Sequence, residues 1–314
     1  MAKRTMEKNA FLKFFDILKD NFFNITMLGS ILSLIIVALL SMSFGLSWLL
    51  VHFFGKIAIF NYLVFIPFIL LTPCMTAVLR IYRNYVREVP VMLWSDIKQA
   101  FKENFFQSFI LGILQFFVVV LLCISYNFYS LTASIQPDSL FPQVGLAVSY
   151  VAAFAVLIIS AYAMMMIVTL NLKLGQIIKN SALFVVGCLP RNVLMILALA
   201  VWTGFCGALV YVAIFTNIAI VGGFVLLIIA LFFMAFTLYI MAYFTFPAIQ
   251  KHILDPYYES HPAETSNSLK SMKTDEDNDE NNDIDLPEYV YHNGRMVHRS
   301  IFEREKLVDD DKDE

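Results

Sequence analysis

The six longest apolar runs of this 314-residue chain contain no Asp, Glu, Lys or Arg. Ion-coupled pumps and intramembrane proteases hold ionisable groups at depth, despite a cost of several kcal/mol, because those groups move the proton or do the chemistry. A bundle of such runs is not expected to relay protons or to cleave bonds inside a membrane. Metal-binding patterns are missing as well. Cys74, Cys123, Cys188 and Cys206 show no CxxC or Cys/His spacing, and His52, His252, His261, His292 and His298 never pair at ligand spacing. The thiols read as small buried hydrophobes, with a Cys123–Cys206 bridge or a lipidated Cys188 as the alternatives. No Walker loop, G-x-S-x-G or H-E-x-x-H string occurs, so neither a cofactor nor an enzyme activity is expected.

What the chain has instead is apolar mass. Hydrophobic residues make up 59% of it and charged residues 15%, with a mean hydropathy of +0.72. Soluble domains run at about 45–50% apolar and about 25% charged, so the composition is that of a membrane protein. A helix needs about 20 apolar residues to cross a bilayer, and the stretches 25–50, 57–79, 105–127, 145–170, 192–214 and 217–248 qualify. The last two are joined by a short turn near Thr216-Asn217. The first run is too long for a cleaved signal peptide and lacks a small-residue cleavage site, which predicts a retained anchor.

Lysine and arginine fix the expected sidedness. With the N-terminus inside, the inner segments carry thirteen basic residues before the tail and the outer segments only Lys56. Both termini are then cytoplasmic. Residues 259–314 reverse the sign and hold 17 of the 25 acidic residues.

The segment Lys19-Asp20-Asn21-Phe22-Phe23 returns as Lys102-Glu103-Asn104-Phe105-Phe106. The register extends to Leu28-Gly29 on Leu111-Gly112. A degenerate third copy is marked by Pro190-Arg191-Asn192. Upstream of each lies an amphipathic stripe, for example Phe11, Phe14, Phe15, Leu18 and Phe22 at helical spacing. Such helices lie in the headgroup plane with basic residues toward anionic lipid. The expected fold is therefore all-α. It has a cytoplasmic amphipathic helix over 1–24 and a six-span domain over 25–250, with inner-face helices near 91–104 and 171–188. Three helix–span–span units compose it, as parallel rather than inverted repeats. An acidic linker over 251–286 precedes a tail, 287–314, in which Asn293-Gly294 between strand formers predicts a type I′ hairpin. A hairpin alone is marginal in water, so it needs a partner or the protein's own inner face to lie on.

Two groups of residues are candidates for function. Pro67 and Pro73, six residues apart, are expected to kink the second span and free carbonyls. Thr72 and Thr76 could satisfy those carbonyls or face a ligand, and a polar pocket there would draw on Asn61, Thr72, Thr76, Gln107 and Gln115. At the inner end of that span and beyond it, Arg80, Arg83, Arg87, Lys98 and Lys102 offer contact to an anionic headgroup or a partner, against the plainer role of a positive-inside anchor. Gly204 to Gly207 and Gly222-Gly223 read as close-packing patches.

The run Thr72-Pro73-Cys74-Met75-Thr76-Ala77-Val78-Leu79-Arg80, Trp94, Ala100-Phe101-Lys102-Glu103-Asn104-Phe105 and the segment Leu174 to Pro190 resemble YesL-type bacterial membrane proteins over roughly 10–250. Thr-Pro-Cys departs from that pattern, where small residues with glycine are expected. The resemblance implies a plasma-membrane location and a family of unknown function, without established site residues, associated with carbohydrate uptake in Gram-positive bacteria. On that basis the expected partners are the lipid bilayer and transporter subunits at the cytoplasmic face, with no nucleic acid. The expected role is a non-catalytic accessory or regulator of sugar uptake, with a permease subunit that lines the pathway as the alternative. The coupling-helix string of an ATP-binding-cassette permease is absent from both inner segments.

Overall fold

A computed structural model describes residues 10–54, 58–170, 172–215, 219–256, 289–292 and 295–298. The helices are α1 (Ala10–Asp20), α2 (Phe22–Phe54), a 3-10 stretch (Ala58–Phe65), α3 (Pro67–Val86), α4 (Leu93–Ile135), α5 (Leu140–Thr169), α6 (Leu174–Gly187), α7 (Leu189–Phe215) and α8 (Ala219–Ile249). A π-helical turn, Gln250–Leu254, follows α8. Six helical stretches are long and apolar enough to cross a membrane: Phe22–Phe53, Tyr62–Val86, Leu93–Ile135, Leu140–Thr169, Leu189–Phe215 and Leu227–Leu254. The turn at Thr216-Asn217, Lys56 and the linker over 257–288 lie outside the described residues.

The three-unit repeat has a physical expression. Each unit runs one way through a first span (α2, α4, α7) and back through the next (α3, α5, α8). Each return span packs on a helix of the following unit: α3 on α4, α5 on α6, and α8 on α2, which closes the cycle. The three return spans also touch one another. They therefore form the centre, and the first spans surround them. Burial agrees, since 50% of the apolar window of α5 is buried and only 11% of that of α7. The C-terminal halves of the return spans hold the core, including Tyr82, Met165, Met166, Tyr239 and Ala242, each inaccessible to solvent. Leu34, Phe44, Phe106, Leu121, Val201 and Phe205 project from the first spans. Apolar area on that scale is unstable against water and is what acyl chains cover.

The amphipathic helix expected near 91–104 is not a separate element. It forms the first turns of α4, which runs unbroken for 43 residues, about 65 Å at 1.5 Å per residue. The hydrocarbon core is only about 30 Å thick, so both ends of α4 stand clear of it. The cause is local: no proline lies between Leu93 and Ile135, and Asn104 satisfies its amide on the Ala100 carbonyl at 2.8 Å without disturbing the helix. Unit one shows the same tendency, since α1 and α2 are separated only by Asn21 and helical hydrogen bonds continue across it. Only in unit three is the amphipathic helix distinct, because Pro190 near the start of α7 lacks the N–H that would continue α6.

The second proline pair also resolves differently from expectation. Pro67 does not kink a helix; it begins α3 after the 3-10 stretch, a position where its missing N–H costs nothing. Pro73 lies inside α3 and leaves the carbonyl of Ile69 without its helical donor. That carbonyl faces α4 at Gly112, where an added Cβ would sit 2.8 Å from it. The repeat glycine thus lets two backbones meet where the proline has opened one of them.

In the tail, β1 (Tyr289–His292) and β2 (Arg295–His298) pair antiparallel, Val290 opposite Val297 and His292 opposite Arg295. The register is that of the expected hairpin, and its turn pair Asn293-Gly294 lies outside the described residues. Strand β2 lies against α5. All four cysteines are free thiols, so the Cys123–Cys206 bridge does not form.

Candidate functional site

Three polar rungs tie α3 to α4. Thr72 Oγ1 lies 2.7 Å from the Phe68 carbonyl and 2.9 Å from Gln115 Oε1. One turn on, Thr76 Oγ1 lies 2.9 Å from the Pro73 carbonyl and 2.9 Å from Ser108 Oγ. A further turn on, Arg80 Nη1 donates to Glu103 Oε2 at 2.6 Å, and Gln99 Nε2 donates to the other carboxylate oxygen at 2.7 Å. Positions 72, 76 and 80 share one face of α3 because they are four residues apart. That face carries the expected pocket residues, but they are joined to a neighbour rather than left open to a solute.

The remaining candidates separate. Gln107 points elsewhere and donates to the Leu172 carbonyl at 3.2 Å, which holds the linker before α6. Asn61 belongs to the 3-10 stretch, and its side chain lies outside the described residues. Arg83 is 1% exposed and donates to the carbonyl of Val168 on α5 and to Asn84 Oδ1 at 2.9 Å. Arg80 is 5% exposed. These two arginines bind the bundle to itself, so surface contact with a headgroup or partner falls to Arg87, Lys98 and Lys102, which are exposed. The sequence gives five cations in a row and no means of telling which face the centre.

Several buried polar groups escaped the sequence reading. Asn192, at the position of Asn21 and Asn104 in the third repeat, donates to the carbonyls of Phe184 and Val185 and accepts from Tyr162 at 2.9 Å. Asn21 donates back to Ile17 at 3.2 Å, and Asn104 to Ala100. The repeated asparagine is thus a fastener: in each unit it returns a hydrogen bond to the amphipathic segment before it. Its recurrence in the repeat was the available signal. Cys188, beside Tyr162, is buried, and burial pushes its thiol pKa up. A neutral, inaccessible thiol is a poor acceptor for a lipid chain.

Because the rungs are side-chain hydrogen bonds between membrane helices, each should be worth little individually. A double-mutant cycle of Thr76→Val with Ser108→Ala is expected to give a coupling of about 0.6 kcal/mol, read from unfolding in mixed detergent micelles. A coupling of zero would mean that the two hydroxyls do not meet.

Two cavities open on this framework. One, of about 550 Å³, lies between α3, α4 and α5 and is walled mainly by apolar side chains, with Gln115 and Ser149 as polar features. The other, of about 1330 Å³, lies at the end of the bundle where the arginines gather, between α1, the turn after α3, and the facing ends of α7 and α8. Lys13 and Glu88 bridge part of its rim at 2.9 Å, and Asp16, Asp20, Tyr85 and Arg191 line it. Glu88 holds its place in a left-handed turn, φ 57°, which reverses the chain ahead of Pro90.

The fold is that of a multi-pass helical membrane protein whose polar interior serves helix–helix contact. Residues 44–126, from the far half of α2 to Tyr126 in α4, match a family described as a protein of unknown function, DUF624. The matched stretch contains all three rungs. No curated protein and no solved structure matches the chain.

Proposed function

We propose that this chain is a non-catalytic accessory or regulatory protein of the bacterial cell membrane, with both termini in the cytoplasm, acting on a carbohydrate uptake system. The observation that carries the reading is the pairing of Thr72, Thr76 and Arg80 across to α4. The polar groups best placed to line a pathway are consumed in holding helices together. Exposed Arg87, Lys98 and Lys102 lie instead toward one end of the bundle, Arg87 next in sequence to Glu88 of the large cleft, and offer a surface where a partner would dock. Thirteen inner basic residues against one outer support the sidedness. The likeness of the middle of the chain to YesL-type proteins supports the link to sugar uptake.

The rival reading is a permease subunit that itself lines a pathway, favoured by the cavity beside Gln115. Reconstitution separates them. Liposomes containing this chain alone are expected to take up no labelled oligosaccharide, while crosslinking in cells is expected to capture the membrane subunits of a sugar transporter. Uptake by the chain alone would overturn the accessory role. So would co-purification with an ATPase and a solute-binding protein in fixed stoichiometry, with no other membrane subunit present.

A further inference from the structure

The residue before the fastening asparagine is charged in every repeat: Asp20, Glu103 and Arg191. Glu103 is neutralised by Arg80 at 2.6 Å. Asp20 and Arg191 both line the large cleft, and among the described residues neither makes an ion pair or a hydrogen bond. The cleft therefore presents one carboxylate and one guanidinium, on helices from different units, that do not satisfy each other. A third group points the same way. Tyr85 also lines the cleft and is 6% exposed, yet its buried hydroxyl makes no hydrogen bond of ordinary geometry among the described residues, with Asn24 near it at longer reach. A buried hydroxyl left open is unfavourable unless something completes it.

The walls supply the rest of the recognition. Ile17, Leu194, Phe244 and Phe246 line the same space, at the level where the spans end. Its volume, about 1330 Å³, exceeds the roughly 300–1,000 Å³ usual for small-molecule sites. A molecule with a charged head of both signs and an apolar body fits that description better than a simple anion, which Asp16 and Asp20 would repel. Guanidinium matches phosphate geometry, and carboxylate beside carboxamide matches a primary ammonium with its three donors.

We propose that this cleft binds an aminophosphate zwitterion, its ammonium on Asp20 and its phosphate on Arg191, with the Tyr85 hydroxyl completing the set. The shared chemistry occurs in phosphatidylethanolamine and in its soluble head, glycerophosphoethanolamine. The inference goes beyond the transporter association and does not depend on it.

The test uses the purified full chain in mild detergent, incubated with equal amounts of phosphatidylethanolamine and phosphatidylglycerol, with the retained lipid read by native mass spectrometry. The zwitterionic lipid is expected to be retained over the anionic one by roughly tenfold, the scale of a charge-assisted hydrogen bond. Asp20→Asn should remove that preference, and Arg191→Gln should weaken retention of both lipids, whose phosphate is common. Tyr85→Phe should weaken retention without changing which lipid is chosen. Displacement by glycerophosphoethanolamine assigns the site to the head alone; persistence of the lipid against it assigns the site to the membrane-embedded molecule. Either supports the site. Equal retention of both lipids by the unmodified chain, an unchanged preference in Asp20→Asn, or unchanged retention of both lipids in Arg191→Gln overturns it.

Discussion

Gly29→Ala is expected to lower the melting temperature of the purified protein sharply, and Gly29→Leu to prevent recovery of a monodisperse bundle. A Cβ at Gly29 would lie 2.2 Å from the Cβ of Ala235 on α8, 2.3 Å from its Cα and 2.6 Å from its backbone nitrogen. Carbon atoms pack at about 3.5–4.0 Å, so α2 and α8 would have to move apart. The obstructing atoms are largely backbone, which no rotamer change relieves. Inserting a single methyl into a tight core costs about 1–3 kcal/mol, and this site belongs at or above the upper end. The consequence also spreads, because α2 on α8 is the contact that closes the cycle of three units. Gly45 provides a control on the same helix: a Cβ there meets nothing within 4 Å. Gly45→Ala is expected to be neutral or slightly stabilising through helix propensity. Melting curves of the two alanine variants, read by size-exclusion recovery after heating, settle the matter. Equal curves would mean that α2 does not seat against α8 in this way.

That prediction joins what the sequence could and could not disclose. The register of Gly29 with Gly112 is visible in the repeat, and both glycines turn out to be points of backbone approach, one against Ala235 and the other against Ile69. The spans were legible for the same reason, since long uncharged apolar runs have few other physical outcomes. The hairpin at 289–298 was legible from Asn293-Gly294 between strand formers. Less accessible was anything decided by which neighbour a helix face meets. Thr72 and Gln115 are among the residues that a polar pocket would draw on, and nothing local reveals that they would bond to each other across 43 positions. Periodicity likewise could not show that the stripe near 91–104 would continue as one helix, because the outcome depends on the absence of a proline such as Pro190. The three arginines of α3 and its end make the same point in terms of charge. Their spacing assigns them to one end of a span, but only the packing of α4 and α5 decides which of them water can reach.

Arg83→Met is accordingly expected to destabilise the protein most among the three arginines, Arg80→Met less, and Arg87→Met hardly at all. Arg83 is 1% exposed and joins α3 to the carbonyl of Val168 on α5, so it spans two of the three central helices. Its removal leaves that carbonyl unpaired near the end of α5 and frees Asn84 from two hydrogen bonds, at 3.2 Å and 2.9 Å. A buried hydrogen bond to a charged group is worth about 1.5–3 kcal/mol, and of the three only the one to Val168 is fully buried, so the loss should be about 3 kcal/mol. Arg80 is comparably buried, but its partner Glu103 has a side chain 31% exposed. Water can resolvate the carboxylate once the guanidinium is gone, which limits the expected loss to about 1 kcal/mol. Arg87 is exposed, and a surface change of that kind stays within about 0.5 kcal/mol. Arg83→Lys should fail to rescue, since an ammonium lacks the planar fork that reaches Val168 and Asn84 together. Unfolding in detergent should rank the variants in that order. If Arg87→Met proved the most damaging, the arginines would be holding lipid or a partner at the surface, and the pairing of α3 with α5 through Arg83 would have to be abandoned as the source of their role.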